Sequence, residues 1–136
     1  MSPFTLRPIG WVRSPVRELL DDCASAHVRL GIVTTTSRTN VDILLKTHLG
    51  EDWESTFAVI VCAQEAPKKK PDPQAYLLAL EALKLRPFEA VAMEDSQAGA
   101  AAAHAAGAVV RSTNECASER TPRGSRSVSA TTTVRG

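Results

Sequence analysis

The densest group of reactive side chains is Glu94-Asp95-Ser96, which follows the apolar run Ala90-Val91-Ala92-Met93. Two adjacent carboxylates repel one another unless a cation neutralises them, and hard oxygen donors suit Mg2+, which keeps waters and bridges to a phosphate. The same acids at a helix start also favour the helix dipole without binding anything. A second group is Thr34-Thr35-Thr36-Ser37, directly after the β-rich run Val28 to Val33. Hydroxyls and turn N–H groups at a strand end donate to phosphate oxygens, and a helix beginning near Thr39 adds its positive end. Ser37 or Thr39 equally serves as an ordinary helix cap. The third group is Lys68-Lys69-Lys70, set between Pro67 and Pro71. Most lysine runs are simply solvated, but one held rigidly before Pro71 projects an ammonium that neutralises a phosphate or a nucleophile.

These groups need strands to carry them. Val16, Leu19, Leu20 and Cys23 recur at helical spacing, so a first helix is predicted from Val16 to about Ala26. A strand over Val28 to Thr34 precedes a helix bearing Val41, Leu44, Leu45 and Leu49, which Gly50 ends. A strand over Phe57 to Cys62 and a helix lined by Tyr76, Leu80 and Leu83 follow. Ala90 to Met93 returns as a strand, Ser96 caps an alanine-rich helix from Ala98 to Ala106, Gly107 stops it, and Ala108 to Val110 is a last short strand. This alternation predicts an α/β fold with a parallel, Rossmann-like sheet. The three groups then fall at or just beyond strand ends, where open α/β sheets bind ligands.

The 136 residues, 43% hydrophobic and 23% charged, suffice for one domain, and a net charge of +1 leaves no electrostatic footprint for nucleic acid. No apolar run approaches the roughly 20 residues of a membrane span. A small-molecule partner is the default. Cys23, Cys62 and Cys116 are odd in number and widely spaced, which indicates neither disulfides nor zinc and favours a reducing, cytoplasmic compartment. Residues 1–15 carry arginines and prolines and no acid; they suit a connector, with a plastid-type transit segment as the alternative, although prolines interrupt its helix. Residues 16–111 form the expected folded part. From Ser112 to Gly136, ten of twenty-five residues are Ser or Thr and no periodicity survives, so 112–136 is expected to be a disordered tail.

A hydroxyl-ended strand (GIVTTTSR), a lysine before proline (KKKPDPQAY) and a strand-end acid pair (VAMEDSQAGAAAAHAAG), in that order, resemble the second, third and fourth motifs of haloacid dehalogenase-like phosphohydrolases. Within that superfamily the EDS-x-x-G form and KKPDP are most similar to the CbbY-like and β-phosphoglucomutase-like group. The resemblance implies a three-layer core and an Mg2+-dependent aspartyl-phosphate mechanism acting on a small sugar phosphate. It implies catalytic roles for Thr34 and Lys70, phosphate or substrate contacts from Thr34, Thr35, Thr36, Ser37, Arg38 and Lys70, and Mg2+ held by Glu94 and Asp95. It further implies a sheet ordered fifth, fourth, first, second, third strand. The family's first motif, DxDGT, supplies the nucleophile, and no DxD occurs in this sequence. The helical cap domain is missing as well. The resemblance is therefore to the carboxyl-terminal part of a core whose central first strand is absent, inactive alone. The alternative is a non-catalytic remnant that binds phosphate or pairs with a complementary segment.

Overall fold

The structure, a computed structural model, describes residues 15–112 and 131–134. Every predicted element forms, with ends shifted by one or two residues. Helix α1 (Pro15–Ser25) buries Leu20 and Cys23 against Leu30 and closes through His27, whose φ of 56° is left-handed, while the Val28 N–H returns to Cys23 O at 2.9 Å. Strand β1 (Arg29–Val33) then leads to helix α2 (Arg38–Leu49), which Ser37 caps by accepting the Asn40 N–H. A 3-10 turn at Trp53–Thr56 precedes the three-residue strand β2 (Val59–Val61), shorter than Phe57 to Cys62. Helix α3 (Gln74–Leu83), strand β3 (Ala90–Glu94), helix α4 (Gln97–Ala105) and strand β4 (Val109–Ser112) complete the alternation.

Strands β1 and β2 pair in parallel, as do β3 and β4, which makes the expected α/β sheet. Between these two pairs lies β5 (Thr131–Val134), giving the order β2-β1-β5-β3-β4. The central position of the family's sheet order is thus filled by the carboxyl-terminal segment, antiparallel to both β1 and β3. At Thr131–Val134 this departs from the expectation of a disordered tail. Four consecutive β-branched residues favour extended backbone, and two open strands offer them hydrogen-bond partners on both sides. The rest of the tail, 113–130 and 135–136, lies outside the described residues, as does the connector up to residue 14.

Helices α3 and α4 cover one face of the sheet, where Val33, Val61, Ala90 and Ala92 meet Tyr76, Ala79, Leu80, Ala102 and Ala103. Helices α1 and α2 cover the β1–β2 half of the other face, with Leu30 and Ile32 under Leu20, Val41 and Trp53. No helix among the described residues is long and apolar enough to cross a membrane. Cys23 and Cys62 are buried free thiols, and burial pushes the Cys62 thiol up.

Candidate functional site

Strand alternation decides where the acid pair goes. Along β3 the buried positions are Ala90, Ala92 and Glu94, so Glu94 points with the two alanines into the layer beneath α3 and α4. Only 1% of it is exposed. An acid so placed requires a partner, because an isolated buried carboxylate loses its hydration without compensation. Lys70 supplies one: its Nζ donates to Glu94 Oε1 at 2.5 Å and to Val33 O at 2.9 Å. The Tyr76 hydroxyl donates to the same Glu94 oxygen, and the ammonium stands 5.2 Å from the centroid of the Tyr76 ring.

Local sequence holds Lys70 there. It precedes a cis bond to Pro71 at the end of a loop that Asp72 anchors by accepting the Gln74 N–H at 2.9 Å, while Gln74 Oε1 accepts the Lys68 N–H. Lys68 and Lys69 are exposed, so the solvated reading holds for two of the three lysines. Val33 ends β1 and Glu94 ends β3, two strand positions apart, or about 10 Å from the usual spacing. Ile32 and Met93 both pair with Thr131, which sets Val33 and Glu94 one residue beyond the start of β5. The Lys70 ammonium therefore bridges the two strand ends over the mouth of the central slot.

Thr34 also lies at this mouth and is buried, with its N–H on Val61 O at 2.9 Å and its hydroxyl oxygen accepting the Thr36 N–H at 3.2 Å. That bond leaves the hydroxyl proton to donate elsewhere. Thr35 is exposed at the turn. Thr36 is tied through its carbonyl to the Ala63 N–H, and Ser37 serves as the α2 cap. The Arg38 guanidinium pairs with Glu54 at 3.2 Å and lies 5.6 Å from the Trp53 ring centroid. Thr34, Lys70 and Glu94 are thus assembled, with Thr35, Thr36 and Ser37 on the adjoining turn.

A divalent cation fits this arrangement poorly. Glu94 Oε1 already receives an ammonium and a hydroxyl, and Oε2 is buried without a hydrogen-bond partner against Gly99. A Cβ at Gly99 would stand 2.0 Å from Oε2, so α4 closes that side. Asp95, half-buried, follows the strand end, whereas Glu94 is buried. Among the described residues no three His, Cys, Asp or Glu side chains converge as a metal site. Glu94 acts here as the internal counter-ion of Lys70.

Two residues of this cluster were not anticipated in these roles. Tyr76 is legible from sequence only as part of an apolar helical stripe, but its ring lies under the Lys70 ammonium and its hydroxyl meets Glu94. Gly99, five residues after Glu94 in the EDS-x-x-G pattern, is the only residue type that leaves room for the carboxylate.

A model of haloacid dehalogenase-like hydrolases matches residues 12–111, and the chain belongs to that family. It is 45% identical over 92 residues to the protein CbbY of Rhodobacter capsulatus, covering 68% of this chain and 40% of that relative. To the phosphorylated carbohydrates phosphatase of Thermotoga maritima it is 37% identical over 92 residues, covering 68% and 41%. The crystal structure of CbbY from Rhodobacter sphaeroides in complex with phosphate superposes with a TM-score of 0.69 at 37% identity, covering 71% of this chain and 43% of that one. A mutant of the same CbbY, in complex with xylulose-(1,5)bisphosphate, gives the same values. The chain spans about two fifths of the length of these relatives.

Proposed function

We propose that this chain carries the phosphate-facing half of a phosphohydrolase site for a small sugar phosphate. The observation that supports it is the Lys70 ammonium fixed at the mouth of the central slot, on Val33 O and Glu94, with the buried Thr34 the next residue after Val33. A buried cation with a neighbouring hydroxyl donor is suited to a phosphoryl group, whose transfer depends mainly on positioning and electrostatic stabilisation. The relatives that bind phosphate and xylulose-(1,5)bisphosphate favour a phosphorylated sugar as ligand. In this reading Lys70 offsets the phosphoryl charge, Thr34 donates to one oxygen, and the turn at Thr35 adds a backbone contact.

Haloacid dehalogenase-like hydrolases generally use Mg2+, but Glu94 is engaged by Lys70, and Asp95 alone holds such an ion weakly. The central strand, Thr131–Val134, carries no carboxylate, so no aspartyl-phosphate forms on it. The chain by itself binds phosphate without turning it over. Thr131–Val134 at the sheet centre favours this non-catalytic reading over an active phosphatase. The test is calorimetric titration with inorganic phosphate and with xylulose 1,5-bisphosphate. Thr34→Val should weaken both by about tenfold, as expected for loss of one hydrogen bond to a charged group. No binding, or binding indifferent to Thr34→Val, overturns the proposal. Turnover abolished by Lys70→Ala would reveal a nucleophile elsewhere in the chain.

A further inference from the structure

The Lys70 ammonium is held from three directions. Val33 O accepts from it at 2.9 Å, Glu94 Oε1 at 2.5 Å, and the centroid of the Tyr76 ring stands 5.2 Å away. A flexible lysine stem loses rotamer freedom when its head is fixed, so several contacts are needed to keep it in one place. Tyr76 takes part in two ways. Its ring face attracts the ammonium, and its hydroxyl donates to the same Glu94 oxygen that Lys70 uses. The ring is 1% exposed, in the core cluster with Val33, Ala79 and Ala92. Glu94 has no second outlet for its charge: Oε2 is buried without a hydrogen-bond partner, and Gly99 closes on it. Ammonium and hydroxyl therefore share Oε1.

We infer that Tyr76 is a positioning residue that sets how strongly Lys70 attracts an anion. The hydroxyl takes up part of the Glu94 charge, and that part no longer offsets the ammonium. In a buried, weakly screened pair the attraction is strong, so a carboxylate without the hydroxyl would draw Lys70 closer and cancel more of its outward field. Tyr76 thus acts on an anion through Glu94 and Lys70, without touching it. This inference rests on the reading of Lys70 as an anion-facing group. Tyr76 is also the only tyrosine in the chain, so a label placed on tyrosine reports from this position alone.

The experiment titrates inorganic phosphate calorimetrically into the unaltered chain, Tyr76→Phe, Glu94→Gln and the double variant, each under conditions where its urea curve shows it folded. Tyr76→Phe keeps the ring and removes the hydroxyl. It should weaken phosphate by about tenfold, the lower end of what removing a partner behind a ligating side chain costs. With Glu94→Gln there is no carboxylate charge to share, and the same change should move the affinity by less than about twofold. A purely structural Tyr76 would lower the urea midpoint in both backgrounds and leave the phosphate affinity of the folded chain alone. Unchanged or tighter phosphate binding by folded Tyr76→Phe overturns the inference and leaves the reading of Lys70 standing, as does an equal loss in the two backgrounds. No phosphate binding by the unaltered chain overturns both. If Glu94→Gln fails to fold, Tyr76→Phe is read together with the chain carrying ring-fluorinated tyrosine. Its single fluorine resonance should shift along the calorimetric phosphate isotherm, and a resonance unmoved at saturating phosphate overturns the inference.

Discussion

Gly99→Ala is the sharpest probe of the Lys70–Glu94–Tyr76 cluster, because its sign is opposite to what local structure alone predicts. Gly99 sits in the first turn of α4 with a φ outside the left-handed region, so alanine there gains about 1 kcal/mol of helix propensity. The added Cβ, however, would lie 2.0 Å from Glu94 Oε2 and 2.4 Å from Cδ, and one of them must move. Glu94 cannot swing aside without leaving Lys70 and Tyr76, and a helix shift would disturb Ala102 and Ala103, which are wholly buried. Overpacking of a tight site costs about 3 kcal/mol at the upper end, so the net expectation is a loss of roughly 2 kcal/mol. Urea unfolding followed by the fluorescence of buried Trp53 reads this as a midpoint lowered by about 1.3 M, taking m as roughly 1.5 kcal/mol/M. Gly50→Ala is the control: its φ of 91° penalises alanine, but nothing lies within 4 Å. A Gly99→Ala chain as stable as the unaltered one, or more so, would refute the packing of Glu94 against α4.

Tyr76→Phe should destabilise by about 2 kcal/mol, the range for a hydrogen bond to a charged group, while leaving the ring packing intact; an unchanged urea midpoint removes Tyr76 from the cluster. Mg2+ titration should give only weak binding that Asp95→Asn reduces further, and binding indifferent to Asp95→Asn would make the acid pair a helix-start feature alone. Asp42 is held below its ordinary value of 3.8, chiefly by the Trp53 indole N–H it accepts at 2.9 Å and next by Lys46. A depressed acid contributes stability above its unfolded value and loses it as pH falls through the folded one, so Trp53 fluorescence should change below about pH 3.8, and Asp42→Asn should remove that transition.

The sheet and its helices were legible because period and punctuation agree: Ser37 and Ser96 cap α2 and α4, and Gly50 and Gly107 follow their ends with φ of 91° and 89°. Placing Thr34, Lys70 and Glu94 together was legible from strand ends alone. What the sequence did not disclose is the direction of Glu94. The run Ala90 to Met93 suggested a strand closing before the acids, whereas β3 includes Glu94, and one residue of extension gives it the inward parity of Ala90 and Ala92. Tyr76 was hidden because a buried helical stripe and a hydrogen-bonding tyrosine look alike in sequence. Arg38, after the hydroxyl turn, has local partners in Trp53 and Glu54 that its position in the sequence does not disclose. In Thr131–Val134 the β-branched run was outweighed by the Ser and Thr content around it.

The occupant of the central slot separates fold from site. Strands β1 and β3 each present a row of backbone donors and acceptors that must be paired when buried, and one four-residue strand pairs with four residues on each side. That requirement is indifferent to strand direction and nearly indifferent to sequence, so Thr131–Val134 meets it. The chemistry is not indifferent. A parallel strand delivers its last side chains to the mouth where Lys70 and Thr34 wait, whereas β5 begins at that mouth and ends beside Arg29 and Ala90 at the far end. With no carboxylate on Thr131–Val134, the Lys70 charge is met among the described residues by Glu94. The sheet can thus be whole while its central strand brings no acid to the mouth where Lys70 and Glu94 meet.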